Sequence, residues 1–229
     1  MSVLRGLERA CRKHASIRAE MFYRVMNLTM GDQETRTGWV AYRRKGPGDD
    51  EKPVTRFRIH FDTVQLDSGP VAERKVDFAF DGERLTIARH RIEQITRYRL
   101  GPGARRPVTI GEGPFPLPFG QRAAEMIEYF RITTAETRGR LAHTKYLKLV
   151  PRKDHATRLN VSYVKMWVDE KTWLPVKIES ADKKDNRTLL VFRNVRTDVE
   201  LPDDLFRLPT PDGWHETVEN LGEADSLAP

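Results

Sequence analysis

The sequence predicts a mainly β fold with a minor α component: a strongly curved antiparallel sheet of ten or eleven strands, accompanied by two short helices. Three observations predict it. Strand-length runs of β-branched and aromatic residues recur along nearly the whole chain. They are separated by turn-forming clusters such as Asp81-Gly82 and Asp182-Lys183-Lys184-Asp185-Asn186, the pattern of an antiparallel meander. Only two segments carry the three-to-four-residue apolar spacing of a helix. A sheet of about ten strands curls and closes or half-closes, and its hollow side must be filled by side chains, helices or a ligand. So little helix leaves two states open: a cavity lined by Phe, Ile, Val, Met and Trp, or a core filled by the protein's own side chains.

The first helix is read over residues 3–15, where Val3, Leu4, Leu7, Ala10 and Cys11 form one stripe between Arg and Lys residues. From Ile17 to Met30 the spacing changes to alternation, with Ala19, Met21, Tyr23 and Val25 on one face. A second strand is read around Thr37–Tyr42, followed by a loop from Arg43 to Lys52, rich in Gly, Pro and charge. Strands Thr55–Thr63, Lys75–Phe80, Arg84–Ala88 and Ile92–Leu100 follow, and residues 101–121 read as a Gly/Pro loop. Ala123–Phe130 is the second helix, with Met126, Ile127 and Phe130 on one side. Strands resume at Arg140–Pro151 and lead into the meander of Val161–Val168, Val176–Ala181 and Thr188–Val195. The chain then makes a short turn at Asp203-Asp204-Leu205-Phe206 and leaves through a Pro-rich stretch. The expectation is one domain spanning 1–229, with a flexible tail over 219–229.

With 229 residues the chain is long enough to bury a substantial core without staples, and its single cysteine rules out an intrachain disulfide framework. No apolar run is long enough to span a bilayer, and the start, Met1-Ser2-Val3-Leu4, runs directly into a charged amphipathic segment rather than a signal peptide. The net charge of +7 suggests anionic lipid or nucleic acid. Yet the basic residues alternate with apolar ones, as in Arg56-Phe57-Arg58-Ile59-His60-Phe61, which places them on the solvent face of a sheet. No nucleic-acid partner is expected.

No catalytic constellation is legible. The six histidines never stand at metal-ligand spacing, and there is no nucleophile elbow, phosphate-binding loop or dinucleotide fingerprint. Cys11 lies on the helix stripe and reads as a packed residue, and Asp203-Asp204 after Pro202 read as caps of a helical turn. The sequence points away from an enzyme, and no cofactor or metal is expected.

The order of elements carries a resemblance. An amphipathic helix and long strand precede the turn Asp81-Gly82-Glu83-Arg84-Leu85. The Pro/Phe loop Gly113-Pro114-Phe115-Pro116-Leu117-Pro118-Phe119 and a short helix follow. Then come Leu147-Lys148-Leu149-Val150-Pro151, Leu174-Pro175, Phe192-Arg193-Asn194-Val195 and Pro211-Asp212-Gly213-Trp214. From about Leu4 to Val218 the chain resembles a divergent member of the periplasmic lipoprotein-carrier superfamily, the LolA/LolB-like lipoprotein-sorting proteins. The resemblance implies an unclosed antiparallel β-barrel of about eleven strands whose helices lid a hydrophobic cavity. It also implies a periplasmic, monomeric carrier of a lipoprotein or other acyl lipid, working between inner- and outer-membrane transfer proteins. The alternative within the same fold is a sensing module that contacts a protein partner without carrying cargo. Strand phase and helix stripe nominate Trp39, Phe57, Ile59, Phe61, Phe78, Ile87, Ile127 and Met166 as cavity residues. The functional arginine of such carriers has its nearest counterpart at Arg44, within Arg43-Arg44-Lys45-Gly46-Pro47.

Overall fold

A computed structural model describes residues 2–45, 54–100, 122–157 and 159–221. The Gly/Pro loop lies outside these residues, as do residues 222–229 of the tail read over 219–229, whose first three residues belong to a strand. The described chain forms one twelve-stranded sheet in the order β12-β6-β5-β4-β3-β2-β1-β11-β10-β9-β8-β7. The strands are β1 Ser16–Asn27, β2 Asp32–Lys45, β3 Val54–Leu66, β4 Ala72–Phe80, β5 Arg84–Arg89, β6 Gln94–Leu100, β7 Phe130–Glu136, β8 Thr144–Pro151, β9 Tyr163–Asp169, β10 Pro175–Ala181, β11 Arg187–Thr197 and β12 His215–Leu221. Two helices accompany them, α1 Ser2–Lys13 and α2 Ala123–Tyr129. The edge strands β12 and β7 do not pair with each other, so the barrel is unclosed.

Two strands escape the periodicity reading. β7 immediately follows α2, but only its first residue, Phe130, is buried and five of the other six are exposed. An edge strand with almost no buried face has no apolar alternation to find. β12 runs parallel to β6, from His215 opposite Gln94 to Leu221 opposite Leu100, so the Pro-rich exit ends in a strand. β2 is also longer than its apolar centre implies. It continues through Arg43, Arg44 and Lys45, which pair with Arg56, Thr55 and Val54.

The concave face holds the main core. Alternation sends Ile17, Ala19, Met21 and Tyr23 of β1 inward, joined by Phe57, Ile59, Phe61, Phe78, Leu85, Leu149, Val164 and Leu190. Each large apolar side chain fully buried here contributes about 1.5–3 kcal/mol of transfer free energy. The stripe of α1, from Val3 through Leu4, Leu7, Ala10 and Cys11, is buried in the same cluster. Gly6 allows the close approach: a Cβ there would stand 2.2 Å from Cε3 of Trp173. Arg12 and Lys13 lie at the C-terminal end of α1, where cations suit the helix dipole.

The convex face carries a strap. Residues 198–214 leave β11 and cross the outer side of β1, β2 and β3 before reaching β6 as β12. Its apolar residues Val199, Leu201, Leu205 and Phe206 form a small cluster with Trp39 and Ala41 of β2. The turn Asp203–Phe206 has no side-chain cap at Pro202; Asp203 instead pairs with Arg43 and Arg56. The capping role read for Asp203 is therefore corrected: the folded sheet offers it two guanidinium groups, which outcompete the local amides.

Candidate functional site

Six of the eight nominated cavity residues meet on the concave face. Phe57, Ile59, Phe61, Phe78, Ile87 and Met166 are each no more than 2% exposed. The rings of Tyr23 and Phe61 lie 5.6 Å apart, those of Phe57 and Phe80 5.8 Å, and Phe78 meets Phe61 edge-on at 6.3 Å. Ile127, half-buried on α2, packs against this cluster. In this conformation the nominated side chains are packed among their neighbours, which is the filled-core alternative left open by the sequence.

Trp39 is the correction. It pairs with His60 across β2 and β3, so it shares the face of His60 while Ile59 and Phe61 alternate to the other side. Trp39 stacks on His60 at 5.4 Å, and the guanidinium groups of Arg18 and Arg58 lie 4.3 and 5.5 Å from its ring centre. A one-residue error in phase places a strand residue on the wrong face, and only pairing reveals the phase.

Arg44 lies in β2, not in a loop. Its backbone N–H donates to the Ala15 carbonyl at 2.8 Å, and its Nη1 reaches the Arg12 carbonyl at the end of α1 at 3.4 Å. It satisfies an otherwise orphaned helix carbonyl and ties α1 to the sheet.

The convex face holds a buried polar cluster that the sequence does not reveal. Asp77 of β4 is 1% exposed. Its Oδ1 accepts from Arg58 Nε at 2.9 Å and is 2.8 Å from His60 Nδ1, while its Oδ2 is 2.8 Å from His90 Nε2. Burial pushes the carboxyl upward, but hydrogen bonds from His60 and Arg58 prevail and hold its pKa down at about 2. His60 is raised above the ordinary histidine value, chiefly by its hydrogen bond to Asp77 against the opposing effect of burial, with Asp62 adding to it. His90 meets Trp214 edge-on at 5.1 Å, linking this cluster to the end of the strap.

Arginines bind the rest of the strap. Arg43 donates to the Leu201 carbonyl at 2.5 Å, Arg58 to Leu205 at 3.3 Å and Arg97 to Leu208 at 3.0 Å. Arg97 also donates to Thr210 at 2.9 Å and to Glu216 at 2.8 Å. Much of the alternating basic charge is thus engaged in holding a polar backbone segment against the sheet. Among the described residues there is no group of three His, Cys, Asp or Glu side chains that could hold a metal ion.

No protein-family profile matches the chain, and no curated protein matches it. Solved structures do. An uncharacterised conserved protein from Thermus thermophilus is 9% identical, with a TM-score of 0.54 over 95% of this chain and 98% of that one. MucB in the MucA/MucB complex of Pseudomonas aeruginosa is 15% identical, with a TM-score of 0.45, and the match covers 91% of this chain but 60% of that one. A LolA superfamily protein from Nitrosomonas europaea is 12% identical, with a TM-score of 0.39 over 90% and 96% of the two chains. At these identities the likeness is one of fold alone.

Proposed function

We propose that the protein binds the acyl chains of a lipoprotein or another lipid on the concave face of its sheet and carries them between membranes. The observation that supports this most is the extent of that face relative to its helical cover. Apolar side chains run from Leu85 and Ile87 on β5 to Leu147 and Leu149 on β8, while the described helices over them have 12 and 7 residues. Outward movement of α1 or α2 would expose Phe57, Ile59, Phe61, Phe78, Ile87 and Met166, with Ile127 moving on α2 itself. Each methylene of a guest chain buried in their place is worth about 0.8 kcal/mol, which offsets the packing that the departing helix gives up. Arg44, tied to the end of α1, is the arginine through which lid and sheet would communicate.

On this reading the chain acts in the periplasm as a monomer, between inner- and outer-membrane partners; no described helix is long and apolar enough to cross a membrane. The test is native mass spectrometry of gently purified protein combined with displacement of a fluorescent acyl probe. Copurified lipid, or a probe displaced by competing acyl chains, is the expected result. Failure of both the native chain and a Gly6→Ala variant with a loosened α1 to take up probe would overturn it.

The packed state of the concave side chains favours a second reading in the same fold, a sensing module that contacts a protein partner without cargo. Recovery of a stoichiometric protein complex free of lipid would select it over carriage.

A further inference from the structure

We propose that a pocket on the convex face, between β1 and β11, binds a phosphate group. Its first mark is an electrostatic conflict. Arg18 of β1 and Arg196 of β11 are direct partners across the antiparallel pair. Like charges directly opposite each other on neighbouring strands destabilise a sheet, and neither arginine has an ion-pair partner among the described residues. An anion lying between them turns the repulsion into two attractions.

The second mark is the backbone. Immediately beyond this pair the register slips, so that Glu20 stands opposite Arg193 and β11 carries an additional residue. Asn194 within this bulge has a φ of 49°, a left-handed conformation uncommon for a side-chain-bearing residue. Such bulges re-aim side chains and gather near functional sites.

The third mark is the space itself. Arg18, Ala19, Glu20, Trp39, Asn194 and Arg196 line a cavity of about 210 Å³. That is the liquid share of roughly seven waters, room for a phosphate with its hydration. Trp39 lies beneath the Arg18 guanidinium and holds it at the pocket wall. The one carboxylate in the lining, Glu20, accepts from Asn194 Nδ2 at 2.8 Å, which draws part of its charge away from an incoming anion. The lining thus balances two cations against one partly engaged anion. The site lies on the opposite face from the proposed acyl surface and does not depend on it.

The same chemistry fits a free phosphate and a phospholipid headgroup, and two arms of one experiment separate them. Calorimetric titration with inorganic phosphate is run beside flotation with phosphatidylcholine vesicles, with and without phosphatidylglycerol. Arg18→Gln and Arg196→Gln are each expected to weaken the interaction at least tenfold, and Glu20→Gln to strengthen it. Without phosphate, Arg196→Gln should raise the melting temperature by removing the repulsion, and phosphate should no longer raise it further. Saturation by inorganic phosphate alone assigns the free ion, and arginine-dependent capture by phosphatidylglycerol vesicles alone assigns the headgroup. Absence of both, or binding that both arginine variants retain in full, overturns the proposal.

Discussion

Asp77 connects two strands and a turn through one carboxylate, and its neighbours make two predictions at the residue scale. It is buried, and it faces Arg58, His60 and His90 together. Asp77→Ala would leave a guanidinium and two imidazoles without their shared acceptor, and a loss of about 3 kcal/mol is expected by urea denaturation. The second prediction concerns pH. The His60 pKa is raised on folding, so protonated His60 stabilises the native state. That contribution is complete below the ordinary histidine value of about 6.5 and is lost as pH rises through the higher folded value. Asp77 behaves in the opposite sense: its contribution is present above its ordinary 3.8 and is lost as pH falls towards about 2. The melting-temperature advantage of the native protein over His60→Gln should therefore shrink as pH rises above 6.5. A constant difference across that window would contradict it. None of these partnerships is legible in the sequence, because His60 and Asp77 belong to different strands and only the β3–β4 register joins them.

At the scale of elements, α1 and the strap are the parts whose attachment can be measured. Gly6→Ala places a methyl group where Trp173 now lies, and either the helix or the ring must shift. A cost of about 1–3 kcal/mol is expected, accompanied by a change in tryptophan fluorescence as the Trp173 surroundings loosen. On the other face, Arg97→Ala removes the donor to Leu208, Thr210 and Glu216 together. Amide exchange in the strap and at His215, whose N–H donates to the Glu93 carbonyl, should accelerate about tenfold or more. Exchange in β1 and β11 should remain unchanged. Helix α1 is legible because its stripe is long and ends in basic residues. The strap and β12 are not, because their contacts are backbone carbonyls held by arginines from distant strands.

For the whole molecule, topology dictates slow assembly. The sheet is completed at its centre by β1 pairing with β11, which sets Ile17 opposite Thr197. Contacts so distant in sequence require loop closure before any pairing energy is returned. Refolding is expected on the millisecond-to-second scale, read by stopped-flow tryptophan fluorescence; microsecond folding would contradict it. The same topology leaves β7 and β12 each with a single strand neighbour among the described residues and separates the main apolar core from the face that carries the strap. Six of the nominated cavity residues share one buried face because period-two alternation is a property of the chain itself. Trp39 falls on the other face because alternation gives two sides without saying which is inside.

The amino-acid sequence by itself determines a large curved antiparallel sheet, an amphipathic helix at its start and a scarcity of helix over an apolar face, since these follow from local periodicity and turn chemistry. Only the tertiary structure decides that the concave side chains are packed, that Trp39 holds Arg18 at a convex pocket, and that a strap is bound by arginines. It also assigns Asp203 to Arg43 and Arg56 rather than to a helix cap. Those outcomes depend on register and on pairing between distant residues, such as Arg43 and Leu201 at a separation of 158 positions, and such pairing leaves no local trace in composition or spacing.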